Sequence, residues 1–381
     1  MIIPLLLLTL LATICGAVIG SFLNVVIHRT PRGESVVWPG SHCPACGAAI
    51  RPLDNIPLLS FLLLRGRCRH CGVEISRRYP LVELATALIF GALFWKNGAT
   101  PETLLEMGFA ATLVALLFID IETRTLPNVI TYPLLLSGLL ATLWRSGWGE
   151  PLVYSFDLSL LFSAGEVAEN LLYPAIRGAL LLGLATPALW FIDRLDLLLF
   201  GKYFEWEDVD VDPADPANPA NPAEPTEQED EAWKRAEQIH HRVIVGSMVI
   251  GLLVGSAWFV GVLSYGALDR LTVDKAIEGL AAGVAGALVG AIPLWLLRSV
   301  YFFLRGREGM GLGDVKLMAG IGAFLGWQGA LGTIMLGSMS GSIVGLLLLR
   351  FRRGQEGLQT TIPFGCFLGL AALLILFRSG L

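Results

Sequence analysis

This chain predicts an all-α protein, a polytopic helical membrane protein with about ten transmembrane helices and one small cytoplasmic loop domain. Three observations carry that prediction. The 381 residues are 54% hydrophobic and 15% charged, with a mean hydropathy of +0.66, whereas soluble domains are about a quarter charged. Apolar runs of roughly 18 residues or more recur, each long enough to span hydrocarbon. The runs are continuous and do not alternate, which selects helices over a closed barrel.

The predicted spans are 5–27, 81–96, 104–119, 129–144, 174–200, 243–265, 280–304, 315–327, 329–349 and 362–378. Segment 1–27 has no basic region at its start and stays apolar well past a signal-peptide core, so it reads as an uncleaved first transmembrane helix. Ile14 before Cys15 is too bulky for a lipoprotein processing site, and Cys15 is expected to pack in the core. The eighth span is short and rich in glycine, which suits a tilted or partly spanning helix. The domain order is then 1–27, a polar loop 28–80, a transmembrane pair 81–144, a stretch 145–277 with two further spans, and a transmembrane segment 278–381.

Positive charge sets the orientation. Loop 28–80 carries Arg29, Arg32, Arg51, Arg65, Arg67, Arg69, Arg77 and Arg78, while Arg305, Arg307, Arg350, Arg352 and Arg353 mark other inside loops. The N-terminus then lies outside, and Asp120 and Asp314 both fall on the cytoplasmic side. The net charge of −5 comes mostly from 205–231, an acidic linker with a Pro-Ala-Asp/Asn reiteration. That composition cannot bury enough apolar area to offset ordering. The mixed segment 156–172 reads as an interfacial helix on the outer face.

Loop 28–80 contains Cys43-Pro-Ala-Cys46-Gly and Cys68-Arg-His-Cys71-Gly. Two CxxC knuckles about twenty residues apart let four thiolates converge on one tetrahedral metal, and the glycine behind each allows the tight turn. Two disulfides are the alternative, but a cytosolic face is reducing. Four protein sulfurs leave no open coordination position, so the expected Zn(2+) is structural and staples a loop that is short of aliphatic residues. His42 and His70 are expected to be exposed and not ligands. The loop arginines read as topogenic charges beside the lipid bilayer, so no nucleic-acid partner is implied.

Asp120 and Asp314 are the candidate catalytic residues. Each stands at the end of a span, where an ionisable group is costly and needs a reason. Two carboxylates brought together share a proton and activate a water. Asp120 is expected in a short hairpin before Pro127, and Asp314 as the N-cap of its helix, which would also fix a catalytic carboxylate. Lys316 is expected to anchor its helix at the headgroups. Gly309-Met-Gly311-Leu-Gly313 is not a nucleotide loop, because no strand precedes it.

The chain resembles the prepilin peptidases, or type IV leader peptidases. The resemblance rests on Gly20-Ser-Phe-Leu-Asn24-Val-Val-Ile-His28-Arg29, on the paired CxxC loop with Asn55-Ile-Pro57 between its knuckles, and on Arg78-Tyr79-Pro80-Leu-Val-Glu83-Leu. It continues through the Asp120 segment, Gly311-x-Gly313-Asp314-Val-Lys316-Leu and Ile362-Pro363-Phe364-Gly365. These run in family order over about 16–144 and from 278 to the end. The resemblance implies a GxGD-type aspartic endopeptidase of the bacterial inner membrane. Its substrates would be prepilins or pseudopilins of type IV pilus or type II secretion systems, cut behind a basic leader at the cytoplasmic face. It also implies N-methylation of the new terminus from S-adenosylmethionine, with loop 28–80 as the methyltransferase-associated part, and it maps the family's catalytic aspartates onto Asp120 and Asp314.

There are departures. Glu122 stands where many members carry aspartate, Thr123 takes a position often polar or basic, and Cys366 replaces the usual proline. The segment 145–277 matches no part of the family pattern. Arg78, Tyr79 and Glu83 mark the expected neighbourhood of the methyl donor, with Glu83 pairing to Arg77 or Arg78, and Glu122 or the acidic linker is a candidate attractor for the basic leader. A proton-coupled transporter is disfavoured because the aspartates lie at one interface and not at the midplane. A noncatalytic pilus or secretion assembly platform is disfavoured by the intact aspartates.

Overall fold

The computed structural model describes residues 2–148, 270–306, 309–351 and 363–378. The expectations for 156–172, 174–200, 205–231 and 243–265, with the last inside-loop arginines Arg352 and Arg353, lie outside these residues. The described residues are helical, without a strand; two isolated bridges, His42 with Ala49 and Arg67 with Glu74, are the only β pairing among them. The long helices are α1 (Ile2–Arg29), α3 (Arg78–Asn97), α4 (Pro101–Thr123), α5 (Asn128–Trp148), α6 (Arg270–Arg305), α7 (Leu312–Phe351) and α8 (Phe364–Arg378), with a short α2 (Leu59–Leu63) in the polar loop. Five of them are long and apolar enough to cross a membrane, and parts of α5 and α8 are shorter apolar helices.

Local chemistry explains the boundaries. Glycine in a positive-φ conformation ends α3 at Gly98. Thr100 caps α4 by accepting the N–H of Thr103 at 3.2 Å, and Pro101 follows where its missing N–H costs nothing. The two expected spans 315–327 and 329–349 are both within α7, divided at Gly326, whose φ of 74° and ψ of 176° are not helical. Helices α1, α3 and α4 pack together, α4 also meets α5 and α8, and α7 meets α5 and α8. The face of α1 bearing Leu6, Leu7, Leu10 and Leu11 is exposed, as suits a helix whose solvent is lipid. Cys15 is exposed as well, not packed in the core as expected, because the residues of α1 that meet α3 are others, among them Thr13, Gly16, Gly20 and Asn24. A Cβ on Gly20 would lie 2.7 Å from Glu83 Cα, so this crossing is a main-chain approach that admits only glycine.

Candidate active site

Asp120 occupies the last turn of α4. The following Arg124 adopts a left-handed conformation (φ 54°) and its N–H returns to the Asp120 carbonyl at 2.9 Å, which ends the helix just past the carboxylate. Asp120 is therefore helical, one turn before the hairpin where it was expected. Asp314 lies in the first turn of α7, its N–H on the Gly311 carbonyl at 3.3 Å. It stands inside the helix and not at the N-cap, since α7 already begins at Leu312. Both side chains are buried, 5% exposed for Asp120 and 8% for Asp314.

The start of α8 brings the two together. A Cβ on Gly365 would lie 2.9 Å from Asp120 Oδ2 and 3.0 Å from Asp314 Oδ1. The backbone N–H of Cys366 donates to Asp120 Oδ2 at 2.9 Å. Three helix ends thus converge on one point: the C-terminal end of α4 and the N-terminal ends of α7 and α8. Helix N-termini favour negative charge, so the starts of α7 and α8 support the two carboxylates through main-chain groups.

Neighbouring side chains hold this arrangement. Arg298 of α6 donates to the Met310 carbonyl at 3.2 Å, pinning the glycine-rich approach to α7. A Cβ on Gly313 would lie 2.9 Å from Leu126 Cβ, so the loop after α4 closes against the start of α7. Lys316 is buried, donates to Asn128 Oδ1 at 2.9 Å and lies 5.6 Å from the centre of the Tyr132 ring. The headgroup-anchor expectation for Lys316 is thus wrong: it points inward across the first turns of α5 and α7, where a buried cation needs acceptors and an aromatic face.

The cysteine loop forms a second cluster. Cys43, Cys46, Cys68 and Cys71 bring four sulfurs within 4.8 Å of one another. The two knuckles repeat one geometry. Gly47 N–H reaches the Cys43 carbonyl at 2.8 Å and Gly72 N–H the Cys68 carbonyl at 2.9 Å, with φ of 69° and 71° at the two glycines. The N–H groups of Cys71 and His70 bring the Cys68 thiol down to about 6. At Cys71 the Val73 N–H is outweighed by burial and the neighbouring sulfurs, which push that thiol up to about 11, so the two thiols titrate as a pair. Spacing, turn and sulfur convergence fit one tetrahedral metal, and His42 and His70 stay exposed outside the cluster. Arg69 donates to both oxygens of Asp54, at 2.8 and 2.6 Å, and ties the second knuckle to the segment between the two.

Between this loop and the ends of α1 and α3 lies a cavity of about 1320 Å³, with Glu122 from the end of α4 on its rim. Glu83 lines it but pairs with neither Arg77 nor Arg78; its Oε2 accepts the Leu58 N–H at 2.7 Å, a main-chain donor that α2 leaves free. Arg78 instead pairs with Glu122 and lies over the Tyr79 ring at 4.8 Å. Glu122 is therefore engaged by an arginine of this chain. The cysteines and the aspartates form separate clusters. Sequence reading missed the part played by Gly365, Cys366 and Arg298. The Pro363-Phe364-Gly365 start of an apolar run was the available signal for the first two, whereas a lone arginine within α6 carried none.

Comparison with known proteins bears on both clusters. Residues 14–97 match the family model described as the bacterial peptidase A24 N-terminal domain, and residues 237–346 match the model of the type IV leader peptidase family. A prepilin leader peptidase/N-methyltransferase of Burkholderia pseudomallei is 26% identical over 96% of this chain and 84% of its own length. One from Pseudomonas aeruginosa is 27% identical over 95% of this chain and 87% of its own. A type 4 prepilin-like proteins leader peptide-processing enzyme of Escherichia coli is 46% identical over 34% of this chain and 55% of its own. No solved structure matches.

Proposed function

Because the chain belongs to the type IV leader peptidase family, we propose that it is a membrane aspartic endopeptidase that removes the basic leader of prepilins or pseudopilins and then N-methylates the new terminus. The observation that carries the first activity is the meeting of Asp120 and Asp314 at Gly365. Carboxylates this close titrate as a pair and hold one proton between them. The ionised member takes a proton from water as the water attacks the scissile carbonyl, and the protonated member polarises that carbonyl. The Cys366 N–H on Asp120 favours Asp120 as the base and leaves Asp314 as the acid. The substrate's apolar helix enters from the bilayer of the bacterial inner membrane, with the leader on the cytoplasmic side where the arginine-rich loops lie.

For the second activity the chain offers the cysteine-stapled loop and its cavity. The four-sulfur cluster suits a structural Zn(2+) that shapes the cavity wall. The methyl donor S-adenosylmethionine, when bound, supplies an activated methyl group. The cavity fits such a ligand by its volume and by an unpaired buried acceptor on Asn24 in its wall.

Intact-mass analysis of a prepilin-like substrate, incubated with the full-length protein and S-adenosylmethionine, tests both activities. Loss of the leader plus one methyl group is the expected result. Loss of the leader alone would remove the methyl-transfer reading, and an unchanged cognate substrate would remove both.

A further inference from the structure

Two residues that line the cavity each carry a buried polar side-chain atom with no hydrogen-bond partner. Asn24 is 2% exposed. Its Nδ2 donates to the carbonyls of Gly20 at 3.3 Å and Tyr79 at 3.1 Å, which fixes the amide, yet its Oδ1 accepts nothing. Arg78 pairs through Nη1 with Glu122 and lies over Tyr79, yet its Nε donates to nothing. Both residues line the cavity. Only two other buried side-chain atoms among the described residues are in this state, on Thr131 and Trp295, and neither residue lines it.

Buried acceptors and donors in folded proteins are almost always paired. An unpaired acceptor and an unpaired cationic donor on residues lining one cavity are complementary to a ligand that carries an N–H group beside an anionic oxygen. A guanidinium prefers a carboxylate to a neutral ring nitrogen or carbonyl. That preference selects an α-ammonium with its α-carboxylate, over an adenine edge and over the amine and neutral carbonyl of a freshly cut chain. The cavity is large enough for such a ligand with a nucleoside attached.

We propose that Asn24 and Arg78 hold the amino-acid end of the methyl donor, with Asn24 Oδ1 accepting from its α-ammonium and Arg78 Nε donating to its α-carboxylate. The proposal rests on the methyl-transfer reading above. Glu122, on the same rim and two residues beyond Asp120, keeps the Arg78 guanidinium oriented through their ion pair.

The test is calorimetric titration of the full-length detergent-solubilised protein with S-adenosylhomocysteine and with 5′-methylthioadenosine, which has the same nucleoside and thioether but no amino-acid end. Asn24→Leu and Arg78→Lys are each expected to weaken S-adenosylhomocysteine binding at least about tenfold. Methylthioadenosine binding should stay within about twofold of wild type, because it makes neither contact. Equal loss for both compounds would mean that these residues read the adenosine or merely hold the fold, and unchanged binding of both would mean that they read nothing; either result overturns the proposal. A wild-type protein that removes the leader but binds neither compound overturns the methyl-donor reading itself, and this proposal with it.

Discussion

The cysteine loop and the aspartate site are built on opposite plans. Four converging sulfurs come from two stretches of four residues in one loop, each turned by its own glycine. The carboxylates come from helix ends 194 positions apart in sequence numbering, Asp120 and Asp314, and are joined by main chain from a third helix. Under the proposed zinc reading, the local plan relies on a metal to hold it, because a short polar loop cannot bury enough surface. The dispersed plan depends on packing: among the described residues α4 is the most buried of the candidate spanning helices, and it packs against α1, α3, α5 and α8.

Breaking each plan separately is the strongest check on this contrast. Asp120→Asn or Asp314→Asn should lower leader cleavage by about a thousandfold or more, read by intact mass, while the metal content of the purified protein stays at the wild-type level. Cleavage at the wild-type rate in either variant would sink the paired-carboxylate mechanism. Cys43→Ser with Cys46→Ser, or prolonged chelation, should have the converse result: metal is lost, segment 28–80 becomes open to added protease, and methyl transfer falls more than cleavage.

Smaller changes sharpen the comparison. Gly365→Ala places a methyl group against both carboxylates and should cut cleavage about a hundredfold, the usual cost of displacing reacting groups by about 1 Å. Its metal content should not change. Cys366→Pro removes only the N–H donated to Asp120, so cleavage should fall about tenfold or less, and the pH–rate profile should shift. Cys366→Ala retains the N–H and should leave that profile in place, so matching profiles for the two variants would dismiss the main-chain hydrogen bond as a determinant. The smallest effect is expected at Asp54. The guanidinium of Arg69 holds its carboxyl below the ordinary range, so the pair contributes above the unfolded value of about 4 and fades only as pH falls through the lowered one. The difference in protease resistance of loop 28–80 between wild type and Asp54→Asn should therefore be the same at pH 8 and pH 5.5.

The unequal legibility of the two regions has the same origin. Cys43, Cys46, Cys68 and Cys71 announce themselves by spacing, and Gly47 and Gly72 take the turn conformations that spacing requires. The spans 81–96, 104–119 and 280–304 were visible because lipid demands long apolar runs, and α3, α4 and α6 include them. Asp120 and Asp314 stood out by their cost at the end of such runs. Where a side chain turns inward was not visible. Lys316 has the position of a headgroup anchor but bonds to Asn128, and Glu83 sits near arginines but caps a loop amide. Such choices are made by neighbours distant in sequence, which a local pattern does not contain. Cys366 drew attention as a departure from the usual proline, and what the departure adds is a backbone N–H on Asp120 that proline lacks.

A wall made of main chain has its own genetics. At Gly365 an added Cβ lies 2.9 Å and 3.0 Å from the carboxylate oxygens of Asp120 and Asp314, so every replacement there should lower cleavage. One residue on, the contact is an N–H that every replacement except proline preserves. A saturation scan across 363–366 should therefore trace a sharp step between two adjacent codons, an imprint of backbone geometry on heritable variation.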